Sequence, residues 1–181
     1  MSLVVRTPPG EANFGLTTDL LSLNTILEVA NCLDAVAVSA SGNSSGGVQI
    51  PLPASYPGEM SGVIAIAANN DRMERACFSN CGDVAAPGGD GRSLAAGDAD
   101  CKPRVEECVD AACAAVLIGP AIQVPFDNEA NTHYILWSGT SFAAPLASGL
   151  AALVVQAGSG LLKPARVKLS LIHISEPTRP Y

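Results

Sequence analysis

The stretch WSGTSFAAPLASGLAALV, from Trp137 to Val154, places a small polar cluster directly before a long run of Ala, Leu and Val. The apolar run predicts a buried helix, with Ser141 in its first turn. Backbone N–H groups at a helix N-terminus have no partner within the helix, and the helix dipole is positive there. Both features favour an oxyanion beside Ser141. A plainer interpretation is that Thr140 or Ser141 only caps the helix through its hydroxyl.

Uninterrupted apolar runs lie upstream of this helix. Ala35–Val38 and Val63–Ala67 predict buried strands, and Tyr134–Trp137 predicts a third strand that leads into the helix. Runs without polar alternation are typical of parallel sheets covered on both faces, so the pattern indicates an α/β layered fold. Apolar residues at helical spacing across 20–30 predict an earlier helix, with Thr17 or Thr18 as its N-cap.

The composition limits the class of partner. A chain of 181 residues with 48% hydrophobic and 15% charged residues has the size and apolar content of one globular domain. The formal net charge of -7 and the lack of a basic run argue against nucleic acid, because phosphate binding needs clustered Lys and Arg. The longest apolar stretch, Phe142 to Val155, is too short to span a bilayer, so no membrane span is expected. No signal-peptide pattern is visible at the N-terminus.

Several segments, in order along the chain, resemble the subtilisin-like serine proteases, or subtilases. GTSFAAPLASG resembles the family's nucleophile motif, Gly-Thr-Ser-x-Ala-x-Pro followed by a helix of small residues. AVAVSASGNSSGG, from Ala35 to Gly47, resembles the strand and loop that end in Gly-Asn. The family's next strand and its Ala-Pro-Gly segment have counterparts in PASYPG, GVIAIAANN and ACFSNCGDVAAPGGDG. The resemblance implies a three-layer α/β/α fold with a mostly parallel sheet, of which residues 1–168 form a part and the N-terminal part is missing.

The resemblance also assigns roles to individual residues. It implies that Ser141 is the nucleophile and that the side chain of Asn43 donates to the oxyanion, beside the backbone N–H of Ser141. Without the serine motif, Asn43 would be interpreted as an ordinary turn residue. Ala40-Ser41-Gly42 would form one wall of the primary specificity pocket, and Ser2-Leu3 would be the strand edge that pairs with an extended peptide substrate.

The base that Ser141 needs is not visible in the sequence. Since the family's chain order is Asp, then His, then Ser, the resemblance implies that both partners lie upstream of Met1. His133 is expected to be a surface loop residue. It precedes Ser141 by eight residues, which is on the order of 26 Å of extended chain, whereas a base must come within about 3 Å.

The chain is therefore expected to be an inactive fragment of a serine endopeptidase that forms an acyl-enzyme on Ser141. The alternative is a catalytically dead subtilase-like module that binds peptides or a partner protein. An α/β hydrolase is excluded, because its Gly-x-Ser-x-Gly motif requires a glycine where Ala143 stands.

Two segments depart from the family pattern. Residues 91–133 are expected to form an irregular, acidic, cysteine-bearing insertion without a family counterpart. Residues 169–181, LSLIHISEPTRPY, resemble a translated sequencing adapter and are interpreted as a non-native tail. The insertion lies within the predicted subtilase domain of residues 1–168, whereas the tail lies outside it.

The six cysteines leave the redox compartment open, although an even number suits an exported protein in the extracellular space or cell envelope. Cys77 and Cys81 flank a predicted turn and are a candidate disulfide pair, whereas Cys32 is expected to be a buried thiol. No cofactor or metal is expected here. Structural calcium, which many relatives bind, is possible in the intact protein, but this sequence has no matching loop motif.

Overall fold

A computed structural model describes residues 14–46, 52–89, 105–106, 117–120 and 134–175. Their elements form three helices and six strands. The helices are α1 (Phe14–Cys32), α2 (Thr140–Ala157) and α3 (Pro164–Ser175). The strands are β1 (Ala37–Ala40), β2 (Val63–Asn69), β3 (Val84–Pro87), β4 (Val105–Glu106), β5 (Leu117–Pro120) and β6 (Tyr134–Trp137).

Strands β1, β2 and β3 form a parallel sheet with β2 in the centre. Every residue of β2 is buried, as predicted for an apolar run without polar alternation. Strand β1 begins two residues later than predicted, at Ala37, and is only half-buried. In the part of the chain that the structure describes, β1 has a strand neighbour on one side alone, which accounts for its greater exposure. The parallel sheet with its helices confirms the predicted α/β class.

Helix α2 packs across this sheet through its smallest side chains. Ala143, Ala147 and Ala151 recur at four-residue spacing and are buried in the core, so the helix approaches the strands closely. Helix α3 adds Val167 and Leu171 to the same cluster. Full burial of an aliphatic side chain of this size contributes about 1.5–3 kcal/mol, so α3 adds substantially to a core otherwise rich in alanine.

The strand that leads into α2 belongs to a second, antiparallel sheet. Strand β6 pairs antiparallel with β4 and β5, whereas the third strand of the parallel sheet is β3. The apolar pattern of Tyr134–Trp137 indicated a strand correctly but carried no information on its partners. Strands β4 and β5 lie within residues 91–133, so this segment, which was expected to be irregular, contributes both neighbours of β6.

The start of α1 and the predicted domain boundary near α3 both differ from what the sequence indicated. Helix α1 begins at Phe14, so Thr17 and Thr18 lie inside it and neither is its N-cap. Cys32, expected to be buried, is an exposed thiol. Helix α3 runs across the predicted boundary after residue 168, and Leu171 is buried in the core. The non-native origin of 169–181 stays a prediction.

Helix α2 is the one helix among the described residues that is long and apolar enough to cross a membrane. Core helices of soluble proteins meet the same criterion. Here α2 contacts all three strands of the parallel sheet and also α3. These contacts describe a helix that packs on a sheet.

Candidate active site

The turn between β6 and α2 is held by backbone contacts with the segment that follows β3. The N–H of Gly139 donates to the carbonyl of Gly88 at 2.7 Å. Gly139 is the N-cap residue of α2 and has φ of 144°, a conformation that L side chains rarely adopt. A Cβ on Gly88 would lie 2.5 Å from the Cβ of Ala68 and 3.0 Å from the Gly139 carbonyl oxygen. Glycine at position 88 therefore permits this close backbone approach.

Helix α2 is capped by a residue from a distant loop. The carboxamide oxygen of Asn43 accepts hydrogen bonds from the N–H of Thr140 at 3.0 Å and from the Thr140 hydroxyl at 2.9 Å. The N–H of Gly42 in turn donates to the same hydroxyl at 3.2 Å. Thr140 is fully buried, and no side chain caps the helix from the N-cap position itself. The side chain that caps α2 is therefore that of Asn43, and neither Thr140 nor Ser141 caps the helix.

These two hydrogen bonds fix the orientation of the Asn43 carboxamide. Two donors face its oxygen, so the amide nitrogen must point the other way. The nitrogen lies 3.5 Å from the place that a Cβ on Gly139 would occupy. No described residue accepts a hydrogen bond from it. Asn43 thus presents an N–H₂ group beside the turn that precedes Ser141.

Ser141 is half-buried in the first turn of α2. Within the described ranges, no residue forms a hydrogen bond with its hydroxyl. Among the same residues its N–H also has no backbone partner, whereas the neighbouring N–H groups of Thr140 and Phe142 bond to Asn43 and to the Gly139 carbonyl. An N–H and a hydroxyl on one residue at a helix N-terminus, neither of them bonded to the described part of the chain, are suited to hold and to attack a carbonyl group.

Pro145 lies inside α2, one turn after Ser141. Proline has no N–H, so it cannot donate to the carbonyl of the residue four positions earlier, which is Ser141. The first turn is therefore joined to the rest of the helix by fewer hydrogen bonds than an ordinary turn. Its geometry depends correspondingly more on the contacts from Asn43 and Gly88.

The residues predicted as a pocket wall follow directly from the end of β1. Ser41 is fully buried, and its hydroxyl donates to the carbonyl of Asn80 at 3.1 Å. The N–H of Ser41 donates to the carbonyl of Ile66 at 2.9 Å, and the carbonyl of Ser41 accepts from the N–H of Ser55 at 2.7 Å. Ala40 and Gly42 are half-buried. A pocket role for these three residues stays a prediction, and the structure adds that the Ser41 side chain faces the interior.

Ser55 and Asn80 also contribute to this region, although sequence analysis did not select them. Asn80 is 2% exposed, and its amide nitrogen donates to the hydroxyl of Ser55 at 3.0 Å. Neither residue lies in a periodic pattern, and their polarity is ordinary for a turn. No signal in a single sequence would have distinguished them from solvent-exposed turn residues.

Other predicted site residues lie outside the described residues. Ser2 and Leu3, proposed as a substrate-pairing edge, belong to this group, and so does His133. The histidine that the structure describes, His173, is exposed on α3. No group of three or more potential metal ligands occurs in the described part of the chain.

The cysteines are arranged differently from the candidate pairing. Cys77 is disulfide-bonded, and its partner lies outside the described residues. Cys81 is an exposed thiol. The suggestion that Cys77 and Cys81 bridge each other is therefore wrong, although their spacing in a turn made it sterically reasonable.

Comparison with known proteins is consistent with this geometry. The sequence pattern of the Subtilase family matches residues 10–179. No curated protein matches the chain. Among solved structures, proteases from Pseudoalteromonas arctica are similar to it, with 26% identity and a TM-score of 0.57, over 86% of this chain and 40% of that chain.

Two further structures share the fold at lower identity. A prenylagaramide maturation protease, PagA, has 24% identity and a TM-score of 0.56, over 96% of this chain and 50% of its own. A lanthipeptide protease has 20% identity and a TM-score of 0.58, over 91% of this chain and 49% of its own. The chain thus spans half or less of the length of the solved structures it matches. The match over residues 10–179 shows that the chain belongs to the subtilase family.

Proposed function

We propose that the protein containing this chain is a serine endopeptidase in which Ser141 is the nucleophile and Asn43 donates to the oxyanion. Membership of a protease family supports hydrolysis of peptide bonds. The observation that carries the assignment is the Asn43 carboxamide, whose oxygen is occupied by two hydrogen bonds from Thr140. Its nitrogen is left as a donor next to the turn that bears Ser141.

The proposed reaction proceeds through two tetrahedral intermediates. The Ser141 oxygen attacks the peptide carbonyl carbon while a base removes the hydroxyl proton. The carbonyl oxygen, now negative, accepts hydrogen bonds from the Asn43 amide nitrogen and from the Ser141 N–H. Collapse breaks the C–N bond, the base returns the proton to the leaving amine, and an ester to Ser141 remains. Water then attacks the ester carbonyl while the base removes its proton. Collapse of this second tetrahedral intermediate breaks the bond to the Ser141 oxygen, which takes the proton back, and releases the carboxylic acid.

The base and its orienting carboxylate are proposed to come from chain outside residues 1–181. The described residues place no histidine against the Ser141 hydroxyl, and the solved relatives are at least twice as long as the part that matches. Residues 1–181 alone are accordingly proposed to lack useful turnover, since an oxyanion hole without a base retains only slight activity.

The proposed substrate is an extended peptide. The carboxyl end of β1 leads through Ala40, Ser41 and Gly42 to Asn43, so a peptide beside these residues has its scissile carbonyl near the donor. Extended peptides bind to strand edges by main-chain hydrogen bonds. Side-chain preference is proposed to depend on the half-buried Ala40 and Gly42 rather than on the interior hydroxyl of Ser41.

The proposed location is the extracellular space or the cell envelope. The disulfide at Cys77 supports this proposal, because structural disulfides persist mainly in oxidising compartments. Fractionation of the native host, with detection by an antibody against this segment, tests it. Recovery in the cytosol alone would contradict it.

Active-site labelling tests the proposed chemistry. A fluorophosphonate, which reacts with an activated serine, is expected to label the full-length protein on Ser141, and Ser141→Ala is expected to abolish both label and peptide hydrolysis. Ser148→Ala is the matched control, because Ser148 lies on the same helix and its hydroxyl bonds to the Ala144 carbonyl. A full-length protein that binds peptides but neither labels nor hydrolyses them is instead the catalytically dead module.

A further inference from the structure

We propose that Asn80 is a positioning residue for the oxyanion donor, holding the loop of Asn43 in its active geometry from the interior. This inference rests on the proposed function, because it concerns the same site. Asn80 lies in the turn after β2 and is 2% exposed. Substrate therefore has no access to its side chain, and any effect on catalysis must pass through the residues that it holds.

Asn80 binds the loop on both sides of Asn43. Its backbone N–H donates to the Gly42 carbonyl at 2.9 Å. Its side-chain oxygen accepts from the N–H of Ser44 at 3.0 Å and from the hydroxyl of Ser45 at 3.1 Å. The residues before and after Asn43 are thus tied to one buried side chain and its backbone.

The same residue connects this loop to the neighbouring segment. The Asn80 amide nitrogen donates to the Ser55 hydroxyl at 3.0 Å. Its carbonyl accepts from the hydroxyls of Ser41 at 3.1 Å and Ser79 at 2.9 Å. Such a buried and well-satisfied polar network is rigid. Its bonds to residues 41, 42, 44 and 45 are the ones that hold the loop of Asn43.

The close fit at Gly42 shows how tightly the loop is held against Asn80. Gly42 has φ of 109°, and a Cβ there would lie 2.8 Å from the Asn80 amide nitrogen and 2.5 Å from the Ser55 hydroxyl. The loop backbone therefore rests directly on these two side chains. Removing the Asn80 carboxamide would open space immediately beneath the residue that precedes Asn43.

The hydrogen bonds from Asn80 and from Thr140 fix different parts of the donor. Thr140 fixes the direction of the Asn43 side chain through its oxygen, whereas Asn80 fixes the backbone from which that side chain extends. Without Asn80, the N–H of Ser44 and the hydroxyls of Ser45 and Ser55 lose an interior partner. The loop would rearrange to satisfy them, and the Asn43 amide nitrogen would move with it.

A double-mutant cycle in the full-length enzyme tests this role. Asn80→Ala is expected to lower kcat by about 10- to 100-fold, since a displacement of roughly 1 Å costs about 100-fold. KM for a small peptide substrate is expected to change less. In an Asn43→Ala background, the same substitution is expected to lower kcat by less than about 3-fold, because the donor it positions is already absent. Losses that multiply fully in the double mutant would overturn the proposal.

Ser79→Ala is the matched control for a merely structural effect. Its buried hydroxyl belongs to the same turn, accepts from the N–H of Ala68 at 2.9 Å and donates to Asn80, but it bonds to no residue from 41 to 45. It is expected to lower the free energy of unfolding while leaving kcat within about 3-fold per active site, since surviving sites keep their donor. An equal loss of kcat in both variants would contradict positioning.

A readout without catalysis separates this inference from the proposed function. In the full-length protein, the side-chain N–H₂ resonances of Asn43, assigned by their loss in Asn43→Ala, are expected to shift in Asn80→Ala and to stay in place in Ser79→Ala. A shift without any hydrolytic activity in the wild-type protein would refute the proposed function alone. Unmoved Asn43 resonances in Asn80→Ala would refute the positioning role.

Discussion

Asn43 and Thr140 are 97 residues apart in sequence, and the carboxamide oxygen of Asn43 accepts hydrogen bonds from both the N–H and the hydroxyl of Thr140. One contact therefore performs two tasks. It supplies a partner for the first N–H of α2, and it leaves the Asn43 nitrogen as a donor beside the turn at Gly139. The oxygen that caps the helix and the nitrogen proposed as oxyanion donor belong to the same carboxamide group.

Thr140→Val is expected to lower both the stability of the fold and the turnover of the full-length protein. The Gly42 N–H loses its acceptor and the Asn43 oxygen loses one of its two donors. Leaving a buried donor unpaired costs about 1–3 kcal/mol, so the free energy of unfolding should fall by that amount in urea denaturation. Turnover of the full-length enzyme should fall by roughly 10-fold, less than the 10²–10³-fold known for loss of the donor itself in another subtilase. Thr140→Ser retains the hydroxyl and should stay close to wild type, and equal losses in the two variants would contradict this account.

Gly139→Ala is expected to reduce activity through both backbone and space. A residue with a side chain at φ of 144° is strained, at a cost of about 1–3 kcal/mol, and the added methyl would stand beside the Asn43 nitrogen. Thermal unfolding and kcat of the full-length enzyme measure the two effects. Gly149→Ala is the control on the same helix, since a Cβ there meets nothing within 4 Å and alanine is the better helix former by about 1 kcal/mol. A stabilised Gly139→Ala variant would show that the turn has another conformation.

Asp83 is expected to matter more than the lysine that pairs with it. Its carboxylate accepts from the N–H of Ala65 in the buried β2 at 2.9 Å and from Lys168 at 2.7 Å. Asp83→Ala should lower the free energy of unfolding by about 1–3 kcal/mol, because a buried N–H loses its partner. Lys168→Met should cost at most about 1 kcal/mol, since the pair is partly exposed and screened by solvent.

Lys163→Met provides the matched control for that comparison. Lys163 pairs with Asp34, and the two side chains are 69% and 47% exposed. This pair should contribute almost nothing measurable in chemical denaturation. If Lys168→Met destabilises the protein more than Asp83→Ala does, the charge pair rather than the bond to β2 is the dominant interaction.

The isolated chain of residues 1–181 is expected to self-associate through α2. Leu146, Leu150 and Leu153 are 49%, 37% and 60% exposed and form a leucine face beside the buried alanine stripe. Contiguous exposed apolar surface promotes association in water. Replacing the three leucines of this face with Gln should shift the sedimentation profile towards monomer, whereas Leu161→Gln, a single exposed leucine outside α2, should not. An unchanged profile in the triple variant would place the association elsewhere.

Sequence reasoning was most successful where a pattern is local. The run at Val63–Ala67 identified β2 because buried parallel strands lack polar alternation, and the small residues after Ser141 identified α2. The partners of β6 could not be predicted, since its apolar pattern is compatible with either sheet. The error at α1 has a different cause, because Thr17 and Thr18 have the side chains of caps but the helix begins upstream of them, at Phe14.

The site was predictable only in part for a related reason. Ser141 and Asn43 were selected because the motifs around them resemble those of a known family. Asn80 and Ser55 were not, because their importance arises from contacts with residues far away in sequence. The direction of the Ser41 hydroxyl, into the interior, likewise depends on the Asn80 carbonyl.

Pro145 has a consequence for the order of events during folding. Because it withholds a hydrogen bond from the Ser141 carbonyl, the first turn of α2 gains one hydrogen bond less from the formation of the helix. That turn takes its shape from Asn43 and Gly88, which reach it only after the parallel sheet has assembled. A chain that has formed the helix but not the sheet therefore lacks the long-range contacts that shape the turn before Ser141.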